Sequence, residues 1–170
     1  MGPGAKSFLL MLCWCCQLAS AKADSLIVSP VAAASTSVAA PKPETQIVHE
    51  VLVKMLERWN ARDIDGMMSV YWKSPRLLAV IDTQQFDGWE NLYRSYKNQS
   101  RNPDNMGIIN PTRVSVQLLK PDLAFGIVSW TMRYPDNARA SEVVGTTTVD
   151  IQKFDSGWKI VALHASFTEM

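Results

Sequence analysis

The chain has 170 residues, 47% of them hydrophobic and 19% charged. That composition belongs to one globular domain and excludes a disordered or fibrous protein. Lys and Arg total 17 against 16 Asp and Glu, a formal net charge of +1, so no electrostatic footprint points to nucleic acid or an anionic membrane surface as partner.

The N-terminus reads as a targeting segment. Lys6 and the terminal amine precede the apolar run "SFLLMLCWCCQLA" (Ser7 to Ala19), and "ASAKA" supplies small-x-small cleavage sites after Ala21 or Ala23. The run is too short to span a bilayer, and no lipoprotein-type cysteine follows it. A signal peptide over 1–23 is therefore expected, which implies export to the periplasm or the extracellular space and no membrane contact after cleavage. All three cysteines, Cys13, Cys15 and Cys16, lie within it. The expected mature chain has no disulfide, thiol nucleophile or cysteine metal site. Residues 24–43, rich in Ala, Ser, Val and Pro, read as a flexible tether.

The folded domain is expected over 44–170. Val48, Val51, Leu52, Met55 and Trp59 recur at helical spacing up to about Ala61. Asp63 is a suitable N-cap for a short second helix carrying Met67, Met68, Val70 and Tyr71. "SPRLLAVID" reads as a strand after Pro75. "DGWENLYRSYKNQS" reads as a third helix, with Trp89, Leu92, Tyr93 and Tyr96 on one stripe. From Thr112 the period becomes two, and "TRVSVQLL", "LAFGIVSWTMRY", "SEVVGTTTVDIQKF" and "WKIVALHASF" are four strands separated by turn chemistry. Helices followed by an antiparallel meander predict an α+β domain. Its economical packing curls the sheet around the long first helix and leaves a cavity at the open end.

The order of these pieces carries a resemblance. "RDIDGMMSVYWKSPRLLAVI", "DGWENLYRSY", a strand holding Trp130 and "GTTTVDIQKFDSGWKIVALHAS" together resemble the SnoaL-like domains of the nuclear transport factor 2-like superfamily, over about Glu44 to Ser166. They look most like its small exported bacterial members, related to the calmodulin-dependent kinase II association domain. The resemblance implies a cone: a strongly bent antiparallel sheet wrapped on a long N-terminal helix around a pocket. It also implies a homodimer formed through the outer face of the sheet. The family's closing strand ends in W-[KR]-I-V-H-x-H-[TS]-S. Trp158, Lys159, Ile160, Val161, His164 and Ser166 match it, while Ala162 replaces the first histidine. Gly88–Trp89 matches the family's "GW", and Tyr96 matches a tyrosine on its third helix.

His164 is the leading site candidate. Alternation puts it on one face with Trp158, Ile160, Ala162 and Ser166. Counting outward from a tight hairpin at Asp155–Gly157 pairs Ile151 with Ile160, Val149 with Ala162 and Thr147 with His164. A neutral imidazole there can pack, contact a ligand or act as a base. A base would need an orienting acid. Asp82, Asp87, Asp122, Asp136 and Asp155 read as turn or cap residues, Asp150 as outward-facing and Glu142 as a residue of the rim. Tyr96, Trp130, Thr147, Trp59, His164 and Ser166 are the expected ligand contacts. Arg94, Arg133 and His49 read as surface residues, and the "NQS" at Asn98 is a sequon. The expected role is binding a small, largely apolar molecule, or assembly, with no cofactor, metal or nucleic acid. The competing class is an isomerase, dehydratase or hydrolase with His164 as general base, assisted by Tyr96 and Thr147.

Overall fold

The structure, a computed structural model, describes residues 41–134 and 142–170. The expected signal peptide, nearly all of the tether and the "PDNARA" connection lie outside the described residues. No helix among those described is long and apolar enough to cross a membrane.

Helix α1 spans Glu44–Asn60 and buries Val48, Leu52, Met55, Leu56 and Trp59; Leu56 joins the predicted stripe, and Val51 is only partly buried. Glu44 in its first turn and Arg58 in its last suit the helix dipole. Asp63 caps α2 (Ile64–Met68) by accepting from the Gly66 N–H at 2.8 Å. This second helix stops before Val70 and Tyr71, because the chain there runs beside the last strand. Trp72 N–H donates to Ile160 O, Ile160 N–H donates to Val70 O, and Tyr71 bridges to Ile160 in parallel.

That parallel entry directs strand β1 (Leu78–Ile81) alongside β6 (Gly157–Glu169) in the same sense. The chain then turns through Asp82, held at φ 54°, into β2 (Gln84–Asp87). Strand β2 is absent from the sequence reading because "QQFD" lacks alternation, and Phe86 alone of its side chains is buried. Gly88, at φ 85°, precedes α3 (Trp89–Gln99). The meander follows as β3 (Ile108–Lys120), β4 (Leu123–Arg133), β5 (Val143–Phe154) and β6. The sheet order is β2-β1-β6-β5-β4-β3. The fold is the expected α+β cone, a bent, unclosed sheet on α1, but the β1–β6 pairing is parallel, so the sheet is mixed.

Helix α1 lies close against the sheet where Gly126 removes an obstacle. A Cβ at Gly126 would fall 2.8 Å from Leu52 Cδ1 and 2.9 Å from Val149 Cγ2. On β4 the inward series Ala124, Gly126, Val128 and Trp130 is buried throughout, as its alternation predicts.

The last hairpin holds the main departure from expectation. Ile151 faces Ile160 as predicted, but the register then shifts: Asp150 pairs with Ala162, Val149 with Leu163, Thr148 with His164 and Thr147 with Ala165. Val161 is the extra residue of a β-bulge. A one-residue insertion in a period-two element sends every following side chain to the other face. Trp158 and Ile160 are buried before the bulge, and Leu163 and Ala165 after it.

Candidate functional site

The open end of the cone holds a cavity of about 220 Å³ between α1, α3 and the concave face of the sheet. Its walls are chiefly aromatic and thioether groups, among them Met55, Trp59, Tyr96, Trp130, Met132 and Phe167. Each indole spends its one donor within the protein. Trp59 Nε1 donates to Gly107 O at 2.9 Å, and Trp130 Nε1 donates to Thr147 Oγ1 at 2.9 Å. Trp59 meets Tyr96 edge to face, with ring centroids 5.7 Å apart at 78°. Trp130 leans on Phe167 at 6.2 Å.

Trp130 fits because position 145 carries no side chain. A Cβ on Gly145 would lie 2.3 Å from Trp130 Cζ2 and 2.4 Å from Cη2. The glycine on β5 is therefore a vacancy filled by the indole of the neighbouring strand.

Two phenols supply most of the polarity deep in the site. The Tyr71 hydroxyl donates to Met55 Sδ at 3.1 Å and also interacts with the Tyr96 hydroxyl. Burial is the main cause pushing both phenols well above the usual tyrosine value. Both stay protonated across the physiological range. The Tyr96 hydroxyl lines the cavity and, being protonated, can donate to an acceptor there.

Of the six expected contacts, Tyr96, Trp130, Thr147 and Trp59 line this cavity. His164 and Ser166 do not. Expecting them on the inner face assumed an unbroken β6, and the bulge at Val161 turns both to the outer, exposed face. His164 stands there between Thr148 of β5 and Val80 of β1. The expected Thr147–His164 pairing is replaced by Thr147–Ala165. As a general base for chemistry inside the cone, His164 is on the wrong side of the sheet. The expected acids are remote as well: Asp150 is exposed, and Glu142 lies 3.5 Å from the exposed Arg133 guanidinium.

Leu163, Ala165 and Phe167 replace the two polar side chains as lining residues. The sequence reading missed them for the same reason that it misplaced His164. It also missed Gln84, Ser95 and Gln99, which bring amide and hydroxyl groups to the cavity wall. Ser95 and Gln99 flank Tyr96 on α3, so the helical spacing of the predicted tyrosine could have pointed to them. Among the described residues, no group of three or more His, Cys, Asp or Glu side chains is placed to hold a metal ion.

Similarity to known proteins agrees with this architecture. No curated protein matches the chain in sequence. The fold is shared with an NTF-2 like protein of unknown function from Shewanella oneidensis, 22% identical over 73% of this chain and 99% of that one, with a TM-score of 0.65. It is also shared with a nuclear transport factor 2 (NTF2-like) superfamily protein from Salmonella enterica serovar Typhimurium, at 17% identity, 72% and 89% coverage and a TM-score of 0.63. A cystatin-like fold protein from Burkholderia xenovorans is 18% identical over 75% of this chain and 93% of that one, with a TM-score of 0.59. The sequence profile of the SnoaL-like domain matches residues 48–170, which is most of the chain and all of the cone after the first turn of α1. This chain belongs to the SnoaL-like domain family of the nuclear transport factor 2-like superfamily.

Proposed function

We propose that the protein is an exported binding domain that holds a small, largely apolar molecule in the open end of its cone, without catalysing its conversion. The observation that carries this reading is the cavity: aromatic and thioether walls, indole donors already satisfied, and the Tyr96 hydroxyl with a proton to give. Apolar walls with a few convergent polar groups are what small-molecule sites are made of. Proton-abstracting chemistry is not favoured, since among the described residues no carboxylate or imidazole lines the cavity and neutral, high-pKa phenols are poor bases.

The outer face of the sheet is the surface proposed for a homodimer. It exposes Ile127 on β4 and Val144 on β5 among hydroxyl side chains, an arrangement suited to a partly polar interface.

The test is calorimetric titration with 1-hexanol, a neutral probe with one acceptor. Saturable binding is expected in the wild type and should be lost in Ala165→Leu, which extends a side chain into the cavity. Equal binding by both proteins, or none by either, would refute the reading. Native mass spectrometry of protein purified from its own host reports bound ligand and oligomeric state together.

A further inference from the structure

The cone cavity is not isolated. Gln84, Phe86 and Ser95 line it and also line a second hollow, of about 450 Å³, between β2 and α3. The second hollow has different chemistry, with Gln85, Asn91, Arg94 and Asn98 completing its wall alongside Asp87. On α3 the residues Asn91, Arg94, Ser95 and Asn98 stand at i, i+3, i+4 and i+7, so one helical face carries the polar set. Asp87 and Arg94 have opposite charges, which leaves the groove without net charge. Strand β2 is the terminal strand of the sheet, and Asn91 Nδ2 donates to its Asp87 O at 2.7 Å, fixing α3 beside it.

Size points the same way. About 220 Å³ is small beside the roughly 300–1,000 Å³ typical of ligand pockets. A ligand that continues into the adjoining groove meets that range.

We propose that the ligand is amphipathic: its apolar part occupies the cone, and a neutral, hydroxyl-rich head of the glycosyl type lies in the groove between β2 and α3. This rests on the binding role proposed above and names the class of molecule bound. The chemistry of the groove selects the head. A carboxamide offers a donor and an acceptor side by side, and a hydroxyl is likewise both donor and acceptor. An anionic head can only accept and an ammonium head can only donate, so each uses one of the two functions a carboxamide offers, whereas a hydroxyl uses both. Asp87 already balances the one guanidinium and accepts from Gln85 Nε2 at 2.8 Å.

Four probes separate the contributions: 1-hexanol (tail alone), methyl glucoside (head alone), hexyl glucoside (both) and hexanoate (a charged head on a comparable tail). Titrated into the full domain, hexyl glucoside is expected to bind at least about tenfold tighter than 1-hexanol, with no such gain for hexanoate. The double variant Arg94→Ala/Asn98→Ala changes two exposed helix positions, and its unfolding midpoint verifies that the fold is kept. It should reduce hexyl glucoside to the affinity of 1-hexanol while leaving 1-hexanol unchanged. The inference is overturned if 1-hexanol binds but hexyl glucoside binds no tighter, if hexanoate shows the same gain, or if the double variant keeps the glucoside advantage. Saturable binding of none of the four overturns the binding role itself, and this inference with it.

Discussion

Replacing Gly145 by alanine adds one methyl group to a protein whose Trp130 has already taken that space. The new Cβ would stand 2.3, 2.4 and 2.8 Å from three atoms of the indole, where ordinary contact begins at 3.4 Å. The ring is rigid and buried at 6% exposure, so it must retreat by about 1 Å and cannot simply rotate a flexible end away. Overpacking of this kind costs about 1–3 kcal/mol. The retreat also breaks the 2.9 Å bond from Nε1 to Thr147 Oγ1, adding about 1 kcal/mol. The expected loss is about 2–4 kcal/mol, read by urea denaturation with an unchanged m-value. A double-mutant cycle isolates the cause. In a Trp130→Leu background the same alanine meets no indole, so the two substitutions should couple by at least about 1 kcal/mol. If Gly145→Ala lies within about 0.5 kcal/mol of wild type, the ordinary range for surface changes, or if the cycle is additive, the claim that Gly145 exists to house Trp130 is wrong.

The remaining predictions probe the site and its supports. His164→Ala should change stability by no more than about 0.5 kcal/mol, because the side chain is exposed, and should leave 1-hexanol binding unaltered; a weakened titration would contradict the outward placement. Tyr96→Phe should cost about 0.5–1.5 kcal/mol of stability through the lost Tyr71 contact and should weaken 1-hexanol more than hexane, a comparison that calorimetry makes directly. Glu44 ties α1 to the last hairpin by accepting from Lys153 Nζ at 2.6 Å and Trp158 Nε1 at 2.7 Å. The Lys153 bond is the chief cause holding its carboxyl below the ordinary 4.5. A lowered folded-state value contributes stability above the unfolded value and loses it as pH falls through the folded one. Acid titration below about pH 4.5 should therefore destabilise the wild type more steeply than Glu44→Gln, and parallel curves would exclude this contact as a cause.

How much of this was legible in the sequence depends on whether the signal was local. The stripe of α1, the Asp63 cap, the tight hairpin at Asp155–Gly157 and the inward series of β4 are short-range patterns, and each has its expected form. Strand β2 was invisible because an edge strand with one buried residue has little pattern to show. The parallel β1–β6 pairing was invisible because it depends on where the chain arrives, along Val70–Trp72, and not on β1 itself.

The bulge is the instructive failure. A strand of alternating residues fixes its facing through a single parity, and "WKIVALHASF" has apolar residues on both parities around Val161, so nothing in it marks the slip. Without the bulge, Leu163, Ala165 and Phe167 would turn outward, and His164 and Ser166 would point into a cavity whose indole donors are already spent. Fully burying a leucine is worth about 1.5–3 kcal/mol, and an unsatisfied buried polar group costs about 1–3 kcal/mol. The bulged register gains the first and avoids the second, so the apolar demand of the cone decides the facing of the histidine. Deleting Val161 puts that account to the test. Without its extra residue the strand alternates regularly, with Ala162 following Ile160 opposite Asp150, and Leu163 and Ala165 still facing the cone opposite Val149 and Thr147. The variant should therefore fold and still bind 1-hexanol, and loss of the fold would mean that the bulge does more than set the facing of Leu163 and Ala165.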